Sequence, residues 1–275
     1  MPTLLYPPAR PQTIGEVLDS AFRIYTATLL AALPFGVLAI VCGQLPRIYL
    51  IATGRPLRQF GGGDPVWLIL YGLGLFFSIA FVNVIVFRQA GLLAGSRSTR
   101  RAVAAGMRKA PATFVVAILL FLAVGVCFVP LALMPSDYIK WGVVVLSVPA
   151  TYVGVLLSCC VVAVLVGGKG VFGSLRYSAH LVRGNWWRVA AIFSVAFAML
   201  AVFYVLLGVL AALLAPLAGI ADVAVFAAVS AVMAAVLGAV GTPFYSAVGL
   251  ALYSDLEARR EGTDLERRIA GAPVN

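Results

Sequence analysis

Val66-Trp-Leu-Ile-Leu-Tyr-Gly-Leu-Gly-Leu-Phe-Phe-Ser-Ile-Ala-Phe-Val-Asn-Val-Ile-Val-Phe87 holds 22 residues without a charge, and its one amide is Asn83. About 20 such residues in a helix cross the roughly 30 Å of hydrocarbon in a bilayer. The run does not alternate polar and apolar residues, as a membrane strand would. A lipid-facing backbone must satisfy its own hydrogen bonds, so the segment reads as a transmembrane helix. Comparable blocks on either side give six expected spans, at about 24–45, 65–87, 111–134, 139–166, 188–215 and 223–253, followed by a tail over 254–275. The chain therefore reads as a single all-α integral membrane domain over its 275 residues. Its composition agrees: 63% hydrophobic, 11% charged and a mean hydropathy of +1.05. That leaves too little polar surface for a water-soluble domain. Pro34, Pro130, Pro149, Pro216 and Pro243 sit in or near spans, where proline kinks or ends a helix.

The net charge of +10 is unevenly placed along this pattern. Arg10 and Arg23 precede span one. Arg88, Arg97, Arg100, Arg101, Arg108 and Lys109 lie between spans two and three. Lys169, Arg176, Arg183 and Arg188 lie between spans four and five, and Arg259, Arg260, Arg267 and Arg268 follow span six. These 16 share one side, against four (Arg47, Arg55, Arg58 and Lys140) on the other. By the positive-inside rule the 16 face the cytoplasm, with both termini. The same charges attract anionic headgroups. No separate basic domain exists, so nucleic acid is not an expected partner. Glu16 and Asp19 precede a long first apolar run, which reads as an uncleaved signal anchor. The preference for arginine (17 Arg, 3 Lys), with abundant Ala and Val, suggests a GC-rich bacterial genome and a place in the cell (inner) membrane.

Three cytoplasmic stretches are amphipathic. Over Thr13–Tyr25, Thr13 and Glu16 form a capping-box pattern, and Ile14, Val17, Leu18, Ala21, Phe22 and Tyr25 make one stripe. The others are Ser98–Ala110 and Gly173–Val182. Leu18, Ala21 and Ile24 align with Leu175, Ser178 and Leu181, which suggests three repeats of interfacial helix plus transmembrane hairpin. Ser230, Ala234, Gly238, Thr242 and Ser246 recur every four residues, a ridge of small side chains for close packing against a helix of this chain or, less commonly, of a second subunit. Beyond it, Asp255 and Arg259 stand at i, i+4; Glu261 flanks them, Gly262 reads as a helix terminator and Asp264 as the cap of a short final helix. The tail's arginines are expected to meet Glu16 and Asp19 and close the cytoplasmic face.

The search for chemistry is largely negative. There is one histidine, His180, and no metal-binding, phosphate-loop, dinucleotide or nucleophile-elbow motif. Cys42, Cys127, Cys159 and Cys160 read as small packing residues. No cofactor, metal or catalytic residue is expected. Asn83 is the main strongly polar residue deep in a span, expected to bond between helices or, less commonly, to line a path. Arg183-Gly-Asn-Trp-Trp-Arg188 joins basic anchors to an aromatic belt, which makes Arg183, Asn185, Trp186, Trp187 and Arg188 the candidate headgroup contacts.

Three stretches carry a resemblance: Gly15-Glu-Val-Leu-Asp19, Ser178-x-x-Leu-Val-Arg-Gly-Asn-Trp186 and Tyr253-x-Asp-Leu-x-x-Arg-x-Glu-Gly-x-Asp-Leu265. In this order, over nearly the whole chain, they resemble the membrane domain family named for glycerophosphoryl diester phosphodiesterases. Glu257 departs from the basic residue expected there. The resemblance implies a stand-alone six-helix bacterial membrane domain without the catalytic barrel that some members carry. The expected role is non-enzymatic, as scaffold or partner of another membrane protein in envelope or lipid homeostasis. The alternative is a transporter or lipid-handling protein with a path between helical repeats.

Overall fold

The computed structural model describes residues 11–53, 64–96, 98–135, 138–217 and 223–270. Among them the regular structure is helical, without strands: α1 (Ile14–Gly43), α2 (Leu45–Ala52), α3 (Pro65–Leu93), α4 (Thr99–Val126), α5 (Ile139–Leu156), α6 (Cys160–Leu165), α7 (Val171–Val182), α8 (Trp186–Leu217) and α9 (Val223–Ala270), with a 3-10 turn at Val129–Leu133. Six segments are long and apolar enough to cross a membrane; α5 and α6 together make the fourth. α2 lies in the stretch that joins the first two spans. The tyrosine of α2, Tyr49, donates to Asp64 at 3.1 Å, and Asp64 caps α3 just before Pro65.

Two amphipathic stretches are not separate interfacial helices. Thr13 and Glu16 do form a full capping box, but the helix they start runs unbroken to Gly43. No Gly or Pro interrupts residues 22–33, and the Thr26 and Thr28 hydroxyls return to their own helix carbonyls, so nothing stops propagation into the apolar block. Likewise Ser98 caps α4, which continues through Pro111. Only the third stretch forms its own helix, α7, ended by Gly184 at φ +90°. The helix-plus-hairpin unit is therefore not repeated three times in the backbone.

The tail departs from expectation as well. The backbone of α9 stays helical past Gly262 and Asp264 to Ala270. One glycine costs a helix about 1 kcal/mol, which helix-forming neighbours offset. The side chains of Glu261 and Asp264 lie outside the described residues, as do those of Ser230 and Ala234.

Close backbone approach sets the helix neighbours. A Cβ on Gly36 of α1 would stand 2.3 Å from the Ala239 carbonyl oxygen of α9. That carbonyl is the one deprived of its intrahelical donor by Pro243, four residues on. Gly74 of α3 meets the Cys42 carbonyl of α1 in the same way (2.5 Å), and Gly106 of α4 meets Val84 of α3 (2.6–2.9 Å). The expected small-residue ridge is used within the chain: Gly238 lies under the Ile40 side chain of α1, and Ser246 is buried.

Polar groups deep in the bundle bond across these contacts. Buried Asn83 donates to Thr113 Oγ1 of α4 at 2.7 Å, and buried Gln89 donates to the Pro243 carbonyl of α9 at 2.8 Å. Between α5 and α6 the chain breaks at residues 157–159. Ser178 of α7 bridges the break, accepting from Cys159 N–H (3.2 Å) and donating to the Leu156 carbonyl (3.0 Å). Irregular backbone at this depth persists because protein satisfies it.

Candidate functional site: the basic end of the bundle

The start of α1, the α3–α4 turn, α7, the start of α8 and the last turns of α9 share one end of the bundle, where the basic side chains gather. The main packed core also lies there. It joins Val17, Ala21 and Ile24 of α1, Leu181 and Val182 of α7, Val189 and Ile192 of α8, and Leu250, Leu252, Tyr253 and Leu256 of α9. The three motif stretches thus converge on one another.

Asp255 ties them together. Its carboxylate is fully buried. It accepts the Gln12 backbone N–H (2.7 Å), one Arg188 Nη2 bond (3.1 Å) and Arg259 Nε (3.1 Å). Both guanidinium groups also donate to the Gln12 carbonyl. One carboxylate and one peptide group therefore bind both arginines and join the entry to α1 with α8 and α9. Charge-assisted bonds of this kind are the strong ones. The tail meets the entry to the first helix at the Gln12 backbone. Asp19 is exposed and makes no ion pair among the described residues, and Glu16 caps the helix through the Thr13 N–H at 2.7 Å. The i, i+4 pair of Asp255 and Arg259 forms as its spacing predicts.

The candidate headgroup contacts divide. Arg188 turns inward to Asp255. Trp186 stacks on Tyr152 of α5 (centroids 5.5 Å apart) and donates Nε1–H to the Tyr152 carbonyl at 3.2 Å. The Asn185 carbonyl accepts from Val189 N–H and so starts α8. Arg183 and Trp187 remain outward, Trp187 with 81% of its surface exposed.

Arg183 lines an open groove of about 650 Å³ with Lys169, Gly173, Arg176, Tyr177, Ala179 and His180. Lys169 lies 4.7 Å from the centre of the Tyr177 ring. Arg260 of α9 donates to the His180 carbonyl and contacts its ring Nε2. Glu257 accepts from the hydroxyls of Tyr177 and Tyr253, both at 3.3 Å. The acid at 257 thus has a structural partner set, tying α7 to α9. The groove is a feature missed in the sequence reading. Its signal was present: positions 169, 173, 176, 180 and 183 follow helical spacing, and all but Gly173 carry a base.

Among the described residues no three His, Cys, Asp or Glu side chains gather around a metal-sized site. No protein-family model, curated protein or solved structure matches the chain.

Proposed function

We propose that this chain is a multi-pass protein of the bacterial inner membrane, with both termini cytoplasmic, acting without catalysis as a scaffold or partner in envelope or lipid homeostasis. The observation that carries the reading is how polar groups are used. Asp255, Arg188 and Arg259 are spent on tying α1, α8 and α9 together, and the amides of Asn83 and Gln89 bond across helix pairs. A bundle closed this way presents a rigid basic face to headgroups and to other membrane proteins. The resemblance to the glycerophosphoryl diester phosphodiesterase membrane domain family fits a stand-alone domain of this type.

Orientation is tested by fusing reporters to the C-terminus: green fluorescent protein should fluoresce and alkaline phosphatase should stay inactive. The scaffold role is tested by solubilising membranes mildly and sizing the tagged chain, which should migrate with a second membrane protein. Flux through the purified chain in vesicles, abolished by Asn83→Leu, would defeat the reading.

One observation favours lipid handling as the second reading. An apolar crevice of about 260 Å³ between α1, α8 and α9 is lined by Phe22, Tyr25, Leu200, Phe203 and Phe244, wide enough for part of an acyl chain.

A further inference from the structure

Among the described residues, the groove on α7 gathers more positive charge than is paired there. Arg176 and Arg183 are exposed and make no ion pair among the described residues. Lys169 faces a ring, not a carboxylate. Among the described residues the one carboxylate placed nearby, Glu257, accepts two tyrosine hydroxyls. Like charges converging in one groove repel, so the arrangement favours an anion that enters from outside. Gly173 leaves the floor open; a Cβ there would meet nothing within 4 Å.

Two further features point to a lipid as the anion's carrier. Phe172 follows helical spacing with Arg176 and is 77% exposed, and Trp187, four residues beyond Arg183 across the Gly184 turn, is 81% exposed. Exposed aromatic rings beside arginines mark the boundary between headgroups and acyl chains. The charge is also extended. Arg176 and Arg183 are two turns apart, about 10 Å at 1.5 Å per residue, more than one phosphate spans.

We propose that this groove binds the headgroup of an anionic phospholipid carrying two phosphates, with Arg176 and Arg183 each taking one phosphate and Lys169 closing the end. Phe172 and Trp187 then rest among the first acyl carbons. The proposal deepens the scaffold reading and rests on it only for the orientation of the basic end.

The test uses the full chain, purified in mild detergent and analysed by native mass spectrometry after incubation with diphosphatidylglycerol, phosphatidylglycerol or phosphatidylcholine. Diphosphatidylglycerol should be retained best. Arg176→Gln with Arg183→Gln should lower its retention by on the order of tenfold or more. Arg100→Gln with Arg108→Gln removes the same charge elsewhere and should change little. Both pairs are surface substitutions, and unchanged melting temperatures would show the fold intact. Equal retention of phosphatidylcholine, equal loss in both double variants, or no loss in the groove variant would overturn the proposal. So would full competition by millimolar inorganic phosphate, which would make the groove a site for the free ion. Each readout concerns the purified chain alone, so failure to find a protein partner leaves this result independent of the scaffold reading.

Discussion

At the basic end of the bundle, α1, α7, α8 and α9 bury Ile24, Leu181, Ile192 and Tyr253 almost completely and lock Asp255 between two arginines. At the far end, α5 shows Trp141 (72%), Val145 (66%) and Val148 (69%) to the outside, and α8 shows Phe197 and Leu213 (both 66%). The difference follows from the surroundings each end needs. Where water and headgroups meet the protein, apolar surface gains by burial, and charges that are buried must be paired. Where hydrocarbon surrounds the helices, lipid tails cover Leu and Val as well as protein does, and only close backbone packing and polar bonds hold neighbours together.

The contrast breaks most readily at Asp255. Asp255→Asn leaves Arg188 and Arg259, 18% and 28% exposed, without their carboxylate. It should destabilise the chain by about 3 kcal/mol, read as a lower melting temperature in detergent, whereas Asp19→Asn should stay within about 0.5 kcal/mol. An equal, small effect at both sites would remove the distinction between the ends. Close packing comes next. Gly36→Val forces a side chain into the Ala239 carbonyl and should cost about 2 kcal/mol by overpacking. Gly208→Ala, with open space around it, should be neutral or stabilising by up to about 1 kcal/mol. A neutral Gly36→Val would mean that α1 and α9 do not cross there. At the α5–α6 break, Ser178→Ala unpairs a buried N–H and a carbonyl. The expected cost is about 1–2 kcal/mol, with faster amide hydrogen exchange confined to residues 157–160. The smallest effect belongs to Asn83→Ala, about 0.6 kcal/mol for an interhelical bond in a membrane, the short one to Thr113 at 2.7 Å being joined by a long one to the Gly106 carbonyl at 3.5 Å. A loss several times larger would place Asn83 in a network wider than these two bonds to α4.

The six long helices were legible because twenty-residue apolar blocks have few other readings, and the Thr13–Glu16 capping box was legible because it is local. The inward turn of Arg188 and Trp186 was not. In sequence they sit in an anchor-like motif; what redirects them is Asp255, 67 residues on, and the Tyr152 carbonyl, 34 residues back. The Gln12 peptide meets Asp255 across 243 residues, and backbone groups have no side-chain signature. Ser178 stood out only through a repeat alignment and a resemblance; its task, bridging a helix break, depends on where the fourth span gives way. The amphipathic stretches at 14–25 and 98–110 were read as separate helices because their polarity changes at the span boundary. Polarity shifts there, but helix continuity depends on breakers, and only Gly184 supplied one by adopting a positive φ.

The unbroken run of α9 gives the molecule an unusual dimension. Its 48 residues extend about 72 Å at 1.5 Å per residue, whereas a bilayer with its headgroups is about 45 Å thick. Part of this one helix therefore projects as a stiff arm. A tilt of about 10° where the helix leaves the membrane would carry the tip of the roughly 27 Å outside through about 5 Å, so a slight change in bilayer thickness or packing would be magnified at the end of α9.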